Sequence, residues 1–236
     1  MKEMMLLRAQ AAGLQLSYDQ AQKFETYHRM LTQANAQFNL TRVPADMAEA
    51  IDRNYLDCCA PMLGSFPAEV RTIVDVGSGA GFPGIPLAIC HPDIHITMMD
   101  SLGKRVDFLK SVIDALDLNA AAVHFRAEDG ARKPEYREAF DMATARAVAG
   151  LNLLSEYLLH FVKVGGWMLA YKGPTLEAEL REAENALNLL GGSFVRQEKV
   201  LIPGRDWDHR LAYIRKTAPT PEKYPRKAGK PEKKPL

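Results

Sequence analysis

A glycine-rich turn between an apolar strand and a helix constrains this chain more than any other feature. Residues 73–84 read Ile-Val-Asp-Val-Gly-Ser-Gly-Ala-Gly-Phe-Pro-Gly, so a buried strand runs directly into a turn that contains Gly77, Gly79 and Gly81. Glycine is needed where the backbone takes positive φ or must approach a ligand closely. In an open α/β sheet, ligands bind beyond the carboxyl ends of the strands. The sequence therefore predicts a ligand-binding loop at the end of the first strand of such a sheet.

Apolar runs and helical periodicities alternate after this turn, which predicts a mostly parallel sheet with helices on both faces. The last two expected strands are joined without a long helix, so we expect an antiparallel hairpin at one edge of the sheet. The expected strands are Thr72–Val76, His95–Asp100, Ala121–Arg126, Phe140–Thr144, Trp167–Lys172, Phe194–Leu201 and Arg210–Arg215. The expected helices are Pro86–Cys90, Arg105–Leu116, Leu151–Val162 and Thr175–Leu190.

The chain divides into three parts. Residues 1–66 read as a helical N-terminal extension, with a capping-box pattern at Ser17 and a second helix over 46–62. Residues 67–217 form the α/β domain. Residues 218–236 form a basic C-terminal tail: from position 215 onward eight Lys and Arg stand against two Glu, in a chain whose formal net charge is +1. Such a tail either lies along nucleic-acid phosphates or serves only to solubilise the protein.

The residues around the turn favour S-adenosylmethionine, with S-adenosylhomocysteine as product, over a dinucleotide. Residues 79–84 also match the dinucleotide-binding pattern, which alone is weak. Asp75 precedes the first glycine by two residues, where a carboxylate attracts the ammonium group of S-adenosylmethionine and repels a pyrophosphate. Asp100 ends the second strand and suits the ribose hydroxyls of either ligand. An NAD-dependent oxidoreductase is therefore the alternative interpretation.

The end of the third strand offers a place for adenine. Ala127 and Glu128 follow it, and a small residue before a carboxylate suits a backbone N–H to a ring nitrogen and an acceptor for the exocyclic amine. Glu128 equally suits a residue that stabilises the start of a helix through the helix dipole. The residues leave both interpretations open.

An ordered set of motifs along nearly the whole chain resembles the 16S rRNA guanine-N7 methyltransferase G family, also called glucose-inhibited division protein B. The motifs are Phe38–Thr41, Asp75–Gly84, Asp100–Arg105, Arg126–Glu128, Thr144–Ala147, Tyr171–Gly173, Lys223–Gly229 and Lys234–Leu236. The resemblance implies a class I S-adenosylmethionine-dependent methyltransferase fold, and methylation at N7 of a guanine in the 530 loop of 16S rRNA. The small ribosomal subunit would be the partner. One departure is Arg53-Asn54, where the family often has Arg-His.

The same resemblance implies which residues bind the cofactor. Carried over by position, they are Gly77, Phe82, Ala127, Glu128 and Arg146. The chemistry of the residues around the turn adds Asp75, Gly79 and Asp100. Guanine N7 carries a free lone pair and has no proton to lose on methylation, so we expect no catalytic acid or base. No Cys/His spacing resembles a zinc site, so we expect no metal.

Contacts with RNA are expected from polar and basic residues near the ends of the strands and in the tail. Arg146 follows the fourth strand, where its donors suit guanine O6 or a phosphate, or simply pair with an acidic neighbour. Asn39 and Thr41 suit RNA contact or a helix cap. The full set is Asn39, Thr41, Arg105, Arg146, Lys172, Arg226 and Lys227.

Cysteine usage and hydropathy indicate where such a protein works. The three cysteines, Cys58, Cys59 and Cys90, are too few and odd in number for a disulfide framework, which favours a reducing cytoplasm. We read no signal peptide and no apolar run of membrane-spanning length. A monomer is expected. The remaining rivals are a methyltransferase for a small molecule or protein, and a non-catalytic RNA-binding factor.

Overall fold

A seven-stranded sheet forms the centre of the computed structural model, which describes residues 1–236. Its strands are β1 Thr72–Val76, β2 His95–Asp100, β3 Ala120–His124, β4 Phe140–Arg146, β5 Val162–Lys172, β6 Gly192–Lys199 and β7 Arg210–Lys216. Their spatial order is β3-β2-β1-β4-β5-β7-β6. β1 to β5 pair in parallel, whereas β7 is antiparallel to both β5 and β6. The predicted mostly parallel sheet with an antiparallel edge hairpin is confirmed.

Helices cover both faces of this sheet. The α-helices are α1 Lys2–Ala11, α2 Tyr18–Gln37, α3 Met47–Ala50, α4 Asp57–Cys59, α5 Gly84–Cys90, α6 Gly103–Leu116, α7 Ala127–Gly130, α8 Leu151–Leu158, α9 Leu176–Leu190 and α10 Lys230–Lys233. Alternate residues of β1 divide between the two faces, as strand geometry requires. Ile73 joins the apolar cluster under α2, α5 and α6, and Val74 joins the one under α8 and α9.

The N-terminal extension packs on the α/β domain through that first cluster. The capping box at the start of α2 is present, since Ser17 Oγ accepts from the Gln20 amide at 3.1 Å and Gln20 Oε1 accepts from the Ser17 amide at 2.8 Å. Phe24, Tyr27 and Leu31 are fully buried on one face of α2. The extension is therefore built around the same core as the sheet.

The prediction of a single regular helix over 46–62 is wrong. The chain instead passes from α3 into a π-helical segment, Ile51–Leu56, then through α4 into a 3₁₀ segment, Ala60–Leu63, that contains Pro61. π-helical turns insert an extra residue and recur at functional sites. Here the segment buries the polar side chains of Asp52 and Asn54. Periodicity alone does not reveal such a register change.

The strand boundaries also differ from expectation at β3 and β5. β3 ends at His124, because residue 126 already caps α7. β5 begins at Val162, five residues before the predicted Trp167, and the register shifts where it pairs with β4. A Cβ at Gly166 would lie 2.6 Å from the Asp141 carbonyl oxygen, so glycine permits this close approach of the two strands.

Candidate active site

The glycine-rich turn is held in a conformation that only glycine adopts readily. Gly77, Gly79 and Gly81 have φ of +74°, +59° and +103°. The amides of Gly77 and Ser78 both donate to the Met99 carbonyl oxygen of β2, at 2.8 and 3.2 Å. A Cβ at Gly81 would lie 2.5 Å from Ile85 Cγ1, whereas one at Gly79 would meet only open space and the loop's own backbone. The turn is thus packed on one side and free on the other.

Asp75 ties this turn to the helix that follows it. Its carboxylate is fully buried, and Oδ2 accepts from the Gly84 amide at 3.0 Å, while Oδ1 has no hydrogen-bond partner in the protein. Burial raises the pKa of Asp75 to about 7, against the lowering effect of the Gly84 hydrogen bond. The side chain of Asp75 thus lies behind the turn, and its role in binding the cofactor stays a prediction.

Asp100 holds the front of the turn. It is almost fully buried, and its Oδ2 accepts from the Gly79 amide at 2.8 Å while Oδ1 accepts from the Leu102 amide at 2.9 Å. Arg105 Nη1 lies 3.6 Å from Oδ2. The carboxylate therefore stands next to the free side of the turn, at the end of β2 where the sequence places it.

A cavity of about 680 Å³ opens on the free side of the turn. This volume lies within the usual range for small-molecule sites. Its other walls come from residues 40–45 and from the π-helical segment. Six of the residues singled out in the sequence lie on its wall, namely Thr41, Gly77, Gly79, Phe82, Arg105 and Arg146, whereas Asp75 and Asp100 do not. Asn39 is exposed outside it, while Asn35 Oδ1 accepts from the amides of Leu40 and Thr41 at 2.8 and 3.0 Å.

Ala127 and Glu128 lie at the neighbouring end of β3 and not on this wall. They form the first turn of α7, and the Phe125 amide donates to the Asp100 carbonyl at 3.1 Å, which keeps the two strand ends together. Glu128 is 4% exposed, and its Oε1 accepts from the Gly229 amide at 3.3 Å. The role of both residues in binding adenine stays a prediction.

Arg146 is fixed at the inner end of the cavity by three partners. Its guanidinium donates to the Arg53 carbonyl oxygen at 2.8 Å and to Cys58 Sγ, and Nε lies 3.5 Å from Asp57 Oδ2. Burial lowers the pKa of Arg146, but Cys58 and Asp57 together raise it above its ordinary value, so the group stays charged. The guanidinium also lies 5.7 Å from the centre of the Phe82 ring. The arginine thus has an acidic partner and a place on the cavity wall.

A second cavity, of about 360 Å³, adjoins the first and shares Arg53, Arg146 and Ala147 with it. It lies beyond the ends of β4 and β5, and Lys172 is on its wall. Lys172 is paired within the protein, because its Nζ lies 2.5 Å from Glu179 Oε2 and donates to the Ala149 carbonyl at 2.7 Å. An RNA contact by Lys172 stays a prediction, and would need its ammonium to leave or share this pair.

Two residues of this second cavity, Asp57 and His209, were not singled out from the sequence. His209 Nδ1 lies 2.8 Å from Asp57 Oδ1, so Asp57 joins His209 to Arg146. Asp57 is 4% exposed. The two partners are separated by 152 positions along the chain, and no spacing signal connects them.

The tail residues singled out for RNA differ from each other in the structure. Arg226 pairs with Glu156 of α8, Nε lying 2.9 Å from Oε1. Lys227 is exposed and makes no ion pair. RNA binding by either residue stays a prediction, but only the second has a side chain that is free to meet a phosphate.

No cluster of three or more His, Cys, Asp or Glu side chains is arranged to bind a metal ion. None of the helices combines the length and apolar character that crossing a bilayer requires.

Comparisons with known proteins agree with this architecture. The ribosomal RNA small subunit methyltransferase G of Clostridium perfringens (strain 13 / Type A) is 42% identical over 235 residues, which cover 99% of this chain and 98% of that protein. The protein of the same name from Lactobacillus delbrueckii subsp. bulgaricus is 44% identical over 228 residues, 95% of each chain. The crystal structure of M. jannaschii TYW2 in complex with AdoMet superposes with a TM-score of 0.50 at 16% identity, covering 63% of this chain and 70% of that one.

These likenesses replace the oxidoreductase interpretation. The fold is that of the class I S-adenosylmethionine-dependent methyltransferases, with a mostly parallel sheet and an antiparallel edge strand. A family model described as rRNA small subunit methyltransferase G matches residues 20–203. From this match and the near full-length relatives, the chain belongs to the rRNA small subunit methyltransferase G family.

Proposed function

We propose that this protein methylates N7 of a guanine in the 530 loop of 16S rRNA, with S-adenosylmethionine as methyl donor. Membership of the family supports methylation of small-subunit rRNA. The observation that carries the finer proposal is the junction of two cavities at Arg146, one against the glycine-rich turn and one beyond β4 and β5. A donor and an acceptor base can occupy them side by side.

The residues of the larger cavity fit S-adenosylmethionine. Gly77 and Gly79 both lie on the cavity wall, and the open space at Gly79 admits close approach to its backbone. Asp100, which accepts from the Gly79 amide, supplies a carboxylate suited to ribose hydroxyls. The unpartnered Oδ1 of buried Asp75 is a further acceptor behind the turn, which a bridging water would reach. The residues that would hold the cofactor are Asp75, Gly77, Gly79, Phe82, Asp100, Ala127, Glu128 and Arg146. When bound, S-adenosylmethionine supplies a methyl group on a positively charged sulfur, which makes that carbon electrophilic.

The protein's own task in this reaction is to position the guanine and exclude water. The N7 lone pair lies in the plane of the ring and is available without deprotonation, and the methylated base has no N7 proton to release. No side chain is therefore needed as a general base. Positioning alone supplies roughly 7–11 kcal/mol in well-oriented systems. Arg146 contributes by being held rigidly between the two cavities, with its charge maintained by Asp57.

The walls of the smaller cavity suit a purine with a phosphate beside it. Tyr171 and Val148 provide apolar surface. Arg53, Lys172 and Arg210 provide cations on the same wall, each paired with an acidic residue of the protein with which a phosphate would have to share it. Guanidinium groups offer fixed forks of donors to O6 or to phosphate oxygens. The polar surface available to RNA is extended by Arg105 and Thr41 on the larger cavity, and by the exposed side chains of Asn39 and Lys227 outside it.

The proposal is tested by mass spectrometry of nucleosides from 16S rRNA of cells with and without the protein. The expected result is loss of one 7-methylguanosine, mapped to the 530 loop, and its restoration by the purified protein with S-adenosylmethionine on small subunits from the deficient cells. An unchanged 7-methylguanosine content, or a methyl group found at another atom of guanine, would contradict the N7 assignment. Calorimetry with S-adenosylhomocysteine and NADH separately tests the cofactor, and we expect binding of the first only.

A further inference from the structure

The C-terminal strap, residues 218–236, lies on the α/β domain along its whole length. Tyr224 is 7% exposed and packs into the apolar cluster under α8 and α9. Arg137 donates to the Thr220 carbonyl at 2.9 Å and to the Tyr224 carbonyl at 3.0 Å. A segment with this composition has no core of its own, so it is ordered by packing against the core of the α/β domain.

Arg226 is the main latch of this strap. Its partner, Glu156 of α8, is fully buried and accepts from the Arg226 amide at 3.0 Å as well as from the guanidinium. Arg226 Nη1 also donates to the Lys234 carbonyl at 2.8 Å, which draws the end of the strap back on itself. A buried carboxylate requires such partners, because an unpaired charge in the interior is strongly destabilising. The guanidinium of Arg226 is therefore held by hydrogen bonds within the protein.

Beyond this latch the strap reaches the end of β3. The Gly229 amide donates to Glu128 Oε1 at 3.3 Å, and Glu232 accepts from the Tyr157 hydroxyl at 3.1 Å. Gly229 has a φ of +78°, which favours glycine, and a Cβ there would meet no atom within 4 Å. The backbone conformation, rather than lack of space, therefore selects glycine at this contact.

We propose that the strap supports the adenine end of the cofactor site through Glu128, with Arg226 and Gly229 as positioning residues for that carboxylate. The inference rests on the proposed function, since it takes Glu128 as the acceptor for the adenine amine. A carboxylate has two oxygens, and Gly229 occupies only Oε1, which fixes the rotation of the group and leaves Oε2 for the ligand. Arg226 acts at a distance, by holding the strap in place through Glu156.

Two adjacent charge deletions separate this role from a phosphate-binding tail. Arg226→Ala and Lys227→Ala remove the same charge from neighbouring positions, but only Arg226 is latched to the domain. We expect Arg226→Ala to weaken S-adenosylhomocysteine binding about tenfold in calorimetry, as loss of an oriented hydrogen bond to a charged group does. Lys227→Ala should leave that affinity unchanged. If both variants keep wild-type cofactor affinity, the inference is overturned.

A second set of variants shows whether Arg226 acts through Glu128. In a Glu128→Gln background, Arg226→Ala should cause little further loss of affinity. In the wild-type background, Arg226→Ala should raise KM for S-adenosylmethionine while kcat changes little. Equal losses in both backgrounds would mean a general structural effect and would refute the positioning role. Arg226→Met combined with Glu156→Gln avoids a buried unpaired carboxylate, so a fold-competent protein remains available if Arg226→Ala is unstable.

The same experiments distinguish failure of the inference from failure of the proposed function. If the wild-type protein itself binds no S-adenosylhomocysteine, the proposed function and this inference both fall. If it binds, and Glu128→Gln weakens binding while Arg226→Ala does not, the site stands and the strap has no part in it. Slower hydrogen exchange of the Gly229 amide in the wild type than in Glu128→Ala provides a readout independent of activity.

Discussion

Two glycines of the cofactor turn should respond to alanine in opposite ways. Gly79 has a φ of +59°, inside the left-handed region, and its added Cβ would face open space, the nearest atom being 3.9 Å away. Gly81 has a φ of +103°, and its Cβ would lie 2.5 Å from Ile85 Cγ1 and 3.1 Å from Leu109 Cδ2. Gly79→Ala thus puts a methyl group into the cavity, and Gly81→Ala puts one into the core.

The expected free energies follow from those surroundings. Gly79→Ala carries only the left-handed strain of a non-glycine residue, about 1 kcal/mol of unfolding free energy. Gly81→Ala carries backbone strain of about 1–3 kcal/mol and overpacking of about 1–3 kcal/mol, so we expect a total near 4 kcal/mol. That is a large part of the roughly 5–15 kcal/mol by which a domain is stable.

Urea unfolding and calorimetry with S-adenosylhomocysteine together measure both effects. Gly79→Ala should unfold close to the wild type and bind the ligand at least about tenfold more weakly, which corresponds to about 1.4 kcal/mol of steric conflict. Gly81→Ala should shift the unfolding midpoint strongly. Wild-type affinity in a well-folded Gly79→Ala protein would refute the placement of the cofactor on the free side of the turn.

Three further predictions concern the charged groups of the site. Asp75 has a pKa raised to about 7 by burial, above the 3.8 of the unfolded chain, so its contribution to stability is greatest at low pH and is lost as the pH rises toward 7. Relative to Asp75→Asn, which keeps an acceptor for the Gly84 amide, the wild type should lose about 3 kcal/mol of unfolding free energy between pH 5 and pH 8. A difference in unfolding free energy between the two proteins that stays constant over this pH range would contradict the prediction. Arg146→Lys should lower kcat/KM on small subunits by at least about tenfold, with less effect on the affinity for S-adenosylhomocysteine, because an ammonium cannot replace three fixed guanidinium contacts. Near wild-type turnover of this variant would argue against the role of Arg146. His209→Gln removes one partner of Asp57, so it should lower the free energy of unfolding measured in urea by about 1 kcal/mol and leave cofactor affinity unchanged. Weaker binding of S-adenosylhomocysteine would instead place His209 in the cofactor site.

The sheet and the cofactor turn could be predicted from the sequence because their signals are local. A run such as Ile73–Val76 followed by glycines specifies both a buried strand and a glycine turn at its carboxyl end. The positions of Gly77, Gly79 and Phe82 on the cavity wall follow from that one stretch. Asp100 is found in the same way, as the last residue of the next strand.

Contacts between distant parts of the chain could not be predicted in this way. The basic composition of the tail suggests a free segment, but Tyr224 is buried and Arg226 has a buried acidic partner seventy positions away. The pair of Asp57 and His209 joins the extension to the edge hairpin, and no single stretch contains both. Asp75 illustrates a different limit, since the sequence gives its place at the strand end but not which side of the turn its carboxylate faces.

The reversed direction of β7 has a consequence for how this enzyme fold can diversify. Because β7 runs against β5, the connection over 200–209 returns to the edge at which the parallel strands end, and His209 on it reaches the smaller cavity. A crossover helix would have carried the chain to the opposite edge before the next strand began. Insertions or replacements within this short connection can therefore change the lining of the smaller cavity, which is the proposed site of the acceptor nucleotide. The half of the sheet around β1 and β2, with the proposed donor site, keeps its geometry.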